Sequence, residues 1–186
     1  EKDLLTDYQV AVIGVNDEMV REWAEAGELV VTDSGLETDA RTLAGHVGLA
    51  KAMKRFDLKR VISFHGRVKR AQEFADHFPG VAEWMPADER PTGELRCGYV
   101  SGDMPAGTRN AKLQSLRNLE AQQRGLLANA RCLSEGVDVP TLDGVAFIDP
   151  RRSQVDIVQA VGRAIRKADD KKVGTTPWAD EQRRSG

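Results

Sequence analysis

"RVISFHGRVKRAQEFADHF", residues 60–78, runs from a short apolar stretch through His65 and Gly66 into a segment with helical spacing. The apolar run 60–64 is too short for a helix and suits a buried strand, and 67–78 reads as the helix that follows, ended by Pro79-Gly80. The same alternation extends both ways. Upstream, "YQVAVIGV" (8–15) predicts a strand, 17–26 a helix capped by Asn16 or Asp17, and "DARTLAGHVGLAKAMKRF" (39–56) a second helix. Downstream, strands are expected at 95–101, 125–130 and 144–149, with helices at 106–122 and 154–168. Strands that alternate with helices predict an α/β fold: a parallel sheet covered by helices on both faces. Residues 79–94 interrupt the pattern and are expected to be an insertion whose one ordered piece is 81–85. The tail 175–186 has no apolar period and is expected to fray, which gives one domain over 1–174.

The bulk numbers narrow the classes of function. With 186 residues, 40% hydrophobic and 30% charged, the chain can bury a core and remain soluble. Its net charge of −2 excludes a global basic footprint, so any nucleic-acid contact depends on local groups. Cys97 and Cys132 sit in apolar runs as small hydrophobes, and His46, His65 and His77 form no metal-ligand spacing with them, so no metal site is expected. No apolar run approaches the ~18 residues of a membrane span, so no membrane partner is expected. With neither an initiator methionine nor a signal peptide, the sequence reads as a cytoplasmic fragment.

Chemistry concentrates near the C-terminal end. On a helix over 154–168, Gln159, Arg163 and Arg166 stand at i, i+4 and i+7, in a stripe about 60° wide. Ile157, Val158, Val161, Ala164 and Ile165 take the opposite side. Gly162 beside the polar stripe costs about 1 kcal/mol of helix propensity against alanine, which suggests a close approach there. Before this helix, "SEGVDVP" (134–140) offers Gly136 for a tight turn and Asp138 as an acceptor. In a parallel α/β sheet, segments leaving the C-terminal ends of strands line the ligand crevice. The two segments therefore gather a carboxylate, an amide and two guanidiniums along one sheet edge.

"SEGVDVP" followed by "RRSQVDIVQAVGRAIR" (151–166) resembles motifs V and VI of the superfamily 2 helicases, with most likeness to the motors of restriction–modification enzymes and related DNA-dependent ATPases. "VISFHGRVKRAQEF" (61–74) resembles motif IV, and "YVSGDMPAGTRNAKLQSL" (99–116) the segment after it. These landmarks keep the family's order from about residue 8 to 168. The resemblance implies the second of two RecA-like domains that clamp ATP and Mg2+ between them. No G-x-x-x-x-G-K-[ST] occurs, so phosphate loop and metal-binding carboxylates are expected on a first RecA-like domain N-terminal to this one. "VIGVNDEM" (12–19) is not a Walker B strand, because Asn16 intervenes and no phosphate loop precedes it.

Carried over residue by residue, the resemblance makes Arg166 the arginine finger and Arg163 its companion at the γ-phosphate. It places Gln159, Gly136 and Asp138 near the nucleotide. Nucleic-acid backbone contacts are implied for Ser63, His65, Gly66 and Arg67, for Ser101 and Gly102, and for Asn129, Ala130 and Arg131. Ala130 departs from the threonine common in the family, and the strand after the motif VI helix is barely begun at "KKVG" (171–174). The implied activity is ATP-dependent nucleic-acid translocation or unwinding by a longer protein, with DNA favoured over RNA as the track and the isolated fragment inactive. A helicase-like binding or scaffold module that does not hydrolyse ATP is the alternative. A Rossmann oxidoreductase is excluded because no G-x-G-x-x-G follows any strand.

Overall fold

The computed structural model describes residues 39–130 and 142–148 with their side chains, and the backbone of 8–10, 29–31, 37–38 and 174–176. The strands are β1 (Tyr8–Val10), β2 (Leu29–Val31), β3 (Glu37–Asp39), β4 (Arg60–His65), β5 (Glu94–Ser101), β6 (Gln123–Ala130), β7 (Gly144–Phe147) and β8 (Gly174–Thr176). The helices are α1 (Ala40–Arg55), α2 (Val68–Trp84) and α3 (Ala106–Arg117). Six strands form one sheet in the order β1-β8-β7-β4-β6-β5, and each neighbouring pair runs parallel. β2 and β3 make a separate antiparallel hairpin that the sequence reading does not anticipate.

Period-two alternation sends successive strand residues to opposite faces. Val61, Leu126 and Ala146 meet Leu43 and Met53 of α1 and Phe74 and Phe78 of α2. Their sequence neighbours Ile62, Leu127 and Val145, with Phe64, meet Leu113 and Leu116 of α3. Helices therefore cover both faces, as the alternation predicts for an α/β sheet. Full burial of a Phe or Leu contributes about 1.5–3 kcal/mol, so these two layers hold the sheet in place.

α1 begins at Asp39, whose carboxylate accepts from the Thr42 backbone N–H at 2.9 Å and from the Thr42 hydroxyl at 2.6 Å. Lys54 and Arg55 close its last turn, where cations suit the helix dipole. Asp143 caps the opposite end of the sheet, accepting from the backbone N–H of Arg60 at 2.8 Å and of Lys59 at 3.2 Å. Arg124 ties three segments there. Its guanidinium donates to the carbonyls of Thr92 (2.7 Å) and Leu58 (2.8 Å) and to the Asp57 carboxylate.

The expected helix stop at Pro79-Gly80 is corrected: α2 runs on to Trp84 with Pro79 inside it. Proline forfeits one backbone bond, but Val81 and Ala82 continue the buried stripe of Ala71, Phe74, Ala75 and Phe78. The helix ends instead at Met85, which is extended (φ −70°, ψ 152°) as the residue before Pro86 must be. Residues 81–85, read as the ordered part of an insertion, are thus the end and cap of α2. The third helix is shorter than the expected 106–122, closing at Arg117. The strand begun at "KKVG" is β8, between β1 and β7, and its last two residues fall in the stretch expected to fray. The helices expected at 17–26 and 154–168 lie outside the described residues.

Candidate functional site

Parallel strands deliver their C-terminal ends to one edge, and here the register aligns them. His65, the last residue of β4, pairs with Ala130, the last of β6, and Ala130 pairs with Ser101, the last of β5. Two of the three chains then turn into helices: β4 passes through Gly66 to Arg67 and α2, and β5 through Gly102 to Pro105 and α3.

Those helices start differently from α1. Asp39 caps α1, whereas neither Arg67 before α2 nor Pro105 before α3 supplies a side-chain cap; as in α1, neither first turn carries an acidic residue. The start of each helix is the positive end of its dipole, where an external acceptor is favoured. Arg67, Lys69 and Arg70 crowd the start of α2, and all three are exposed. Cations at a helix N-terminus are unfavourable by about 0.3–1 kcal/mol, an arrangement that a bound anion reverses. Lys69 also reaches Glu73 at 3.5 Å. Burial pushes the Asp39 carboxyl up, but the bonds from Thr42 and the charge of Arg70 outweigh it and hold the group below its ordinary value.

The expected contact residues divide by exposure. Gly66, Arg67 and Gly102 are open to solvent, while Ser63, His65, Ser101, Asn129 and Ala130 are buried. Ser63 Oγ and His65 Nε2 lie 2.9 Å apart. The His65 ring rests against Phe74 with centroids 4.8 Å apart, and His46 stacks on Phe74 at 3.9 Å and 8°. His65 is therefore a buried strand residue beneath the turn, which no sequence signal separates from a loop histidine. Arg131, Gly136, Asp138, Gln159, Arg163 and Arg166 lie outside the described residues. Among the described residues no cluster of His, Cys, Asp and Glu could hold a metal ion, and no helix is long and apolar enough to cross a membrane. Burial pushes the Cys97 thiol up to about 12, which keeps it protonated and unreactive at neutral pH.

The family model described as the helicase conserved C-terminal domain matches residues 48–168, about two-thirds of the chain. The chain belongs to the C-terminal domains of the superfamily 2 helicases. Among solved structures, this helicase domain is similar to the ATP-dependent Type ISP restriction–modification enzyme LlaBIII bound to DNA. The two share 29% identity and a TM-score of 0.75 over 94% of this chain, which spans 12% of that one. Two further structures share the fold. The C-terminal part of the Fun30 ATPase domain has 14% identity and a TM-score of 0.56, over 80% of this chain and 45% of that one. Domain 2 of the DEAD-box helicase Mss116p bound to an RNA duplex has 17% identity and a TM-score of 0.53, over 74% and 48%. No curated protein sequence matches the chain. The parallel sheet and its helices are those of a RecA-like helicase C-terminal domain.

Proposed function

We propose that this helicase domain is the second motor lobe of an ATP-driven nucleic-acid translocase or helicase. In this reading the aligned ends of β4, β5 and β6 hold the sugar–phosphate backbone of one strand. One observation carries it: two helix N-termini without side-chain caps open at the same sheet edge, one of them surrounded by Arg67, Lys69 and Arg70. Phosphates suit both the positive helix ends and the cations around the start of α2. Contacts of this kind ignore base identity, which suits a motor that must pass over any sequence. The likeness to an enzyme bound to DNA favours DNA as the track.

The lobe's part in ATP hydrolysis rests on the likeness of 134–140 and 151–166 to motifs V and VI. Arg166 acts as the finger, Arg163 beside it, with Gln159, Gly136 and Asp138 toward the nucleotide. Phosphoryl transfer spreads negative charge over the transferred oxygens, and a guanidinium in a dry cleft stabilises that charge, worth about 10³–10⁵ in rate. ATP and Mg2+ are held mainly by the first RecA-like lobe of the same protein, so this chain alone hydrolyses nothing.

The test is nucleic-acid-stimulated ATPase of the gene product containing this chain, with single-stranded and duplex DNA and RNA. Arg166→Ala is expected to lower turnover by about 10³ or more with little change in melting temperature. Ordinary turnover in that variant removes the finger. Nucleic-acid binding without ATP hydrolysis by the unaltered protein would make the chain a binding module instead.

A further inference from the structure

We infer that His65 is a positioning residue, which sets the turn from β4 into α2 from beneath and does not itself touch the nucleic acid; the inference rests on the reading of this edge as a phosphate site. The imidazole is 2% exposed and Ser63 is fully buried, yet both are polar. A buried polar group costs free energy unless it is hydrogen-bonded, so an apolar pair would hold an ordinary strand end with less risk. What the polar pair adds is direction. Ser63 and His65 lie on the same face of β4, two residues apart, and the 2.9 Å contact between them fixes the imidazole within the last turn of the strand.

The surroundings are cut to this side chain. Ser63 pairs in register with Ala128 and His65 with Ala130, so the neighbouring strand offers methyl groups where larger side chains would crowd the imidazole. Ala128 and Ala130 form a buried cluster with Ala71 and Ala75 of α2, small residues that let the N-terminal half of the helix approach the sheet closely. Above that layer, the ring of Phe74 lies 4.8 Å from His65, with His46 stacked on it and bonded to the Phe74 carbonyl at 3.0 Å. His65 is thus held within β4 by Ser63 and against α2 by Phe74. The next residues, Gly66 and Arg67, are the exposed ones that open α2. Where the imidazole sits decides where the first N–H groups of α2 point.

The experiment measures binding of a labelled single-stranded oligonucleotide, at several salt concentrations, by the gene product containing this chain. It compares His65→Phe, His65→Gln, Ser63→Ala and Arg67→Ala. Phenylalanine keeps the ring contact with Phe74 and loses the bond to Ser63, whereas glutamine keeps a polar group near the place of Nε2. His65→Phe is expected to weaken binding about tenfold with the slope of log affinity against log salt unchanged, and Ser63→Ala to weaken it in the same way. Arg67→Ala should weaken binding and lower that slope by about one, as loss of a phosphate contact does. His65→Gln should stay within about twofold of the unaltered protein. Melting temperatures are measured for every variant, and His65→Phe is expected to match His65→Gln within a few degrees. If His65→Phe binds normally, or if it lowers the salt slope as Arg67→Ala does, positioning is overturned. Equal loss in both His65 variants with a shared fall in melting temperature makes the residue mere packing and also overturns it. No binding by the unaltered protein would overturn the phosphate-site reading itself, and the inference with it.

Discussion

Acid should loosen this domain through one side chain, His46. Its ring is fully buried between α1 and α2, stacked on Phe74, with Nε2 donating to the Phe74 carbonyl at 3.0 Å. Nδ1 is buried without a hydrogen-bond partner, which adds to the cost of charging the ring. Burial lowers its pKa from the ordinary 6.5 to about 4, with the charge of His77 acting the same way and the Phe74 and Thr42 backbone groups and Asp39 opposing it. A base whose pKa is depressed by folding is protonated first in the unfolded chain. Its contribution is complete above pH 6.5 and is lost as pH falls toward 4. Over that window the loss amounts to about 3 kcal/mol, of which about 2 kcal/mol is gone by pH 5. The Asp39 and Asp57 carboxyls, both held below their ordinary values, lose their contributions only at lower pH, and comparison with a His46 variant separates this histidine from His65 and His77. Urea unfolding followed by circular dichroism at half-unit steps of pH measures the slope. His46→Leu removes the second bond to the Phe74 carbonyl, costing about 0.5–1.5 kcal/mol at pH 7.5, and removes the titration. The two stability curves should therefore converge on acidification. Parallel curves, or a flat profile for the unaltered chain between pH 6.5 and 5, refute the reasoning.

Three other substitutions test the packing that carries the site. Arg124→Met should cost about 2–4 kcal/mol in urea unfolding, because it strips donors from the carbonyls of Leu58 and Thr92 where β4, β5 and β6 begin. Gly93 has φ +94°, and a Cβ there would meet the Gln122 carbonyl oxygen at 2.3 Å. Gly93→Ala should therefore destabilise by about 1–3 kcal/mol or more, read as a lower melting temperature. Asp39→Ala removes the cap of α1 and should cost about 1 kcal/mol in the same assay, against no measurable cost for Asp39→Asn.

Legibility followed the physics of each segment. The strand at 60–64 and the helix over 39–56 were readable because burial and periodicity agreed: β4 is buried over Val61–His65, and α1 buries Leu43, Val47, Ala50 and Met53 behind its Asp39 cap. Pro79 misled because its local rule competes with a longer-range one. Losing one backbone bond is outweighed when the next turn can bury Val81 and Ala82 against the sheet, and only the second proline, at 86, forces the chain out of the helix. The hairpin of β2 and β3 escaped notice because three-residue strands give too short a window for any period to show.

The site divides along the same line. That Gly66 and Gly102 end strands and open helices could be read from composition, since each glycine follows an apolar run and precedes a helical one. Which of their neighbours face outward could not, because facing depends on register. Ser63 is a polar residue inside the expected strand and His65 lies just past it, and both are buried against Ala128 and Ala130, more than sixty residues away in the chain. A parallel sheet makes this unavoidable: its partner strands are separated by whole helices, so the small residues that make room for a buried imidazole are written far from it. The helix N-termini show the converse. The missing caps before α2 and α3 are visible in the sequence as Arg67 and Pro105, yet they mean something only beside the capped α1 and on an edge they share. One uncapped helix is an imperfection; two that open from opposite faces at one edge of aligned strand ends form a surface that calls for an anion.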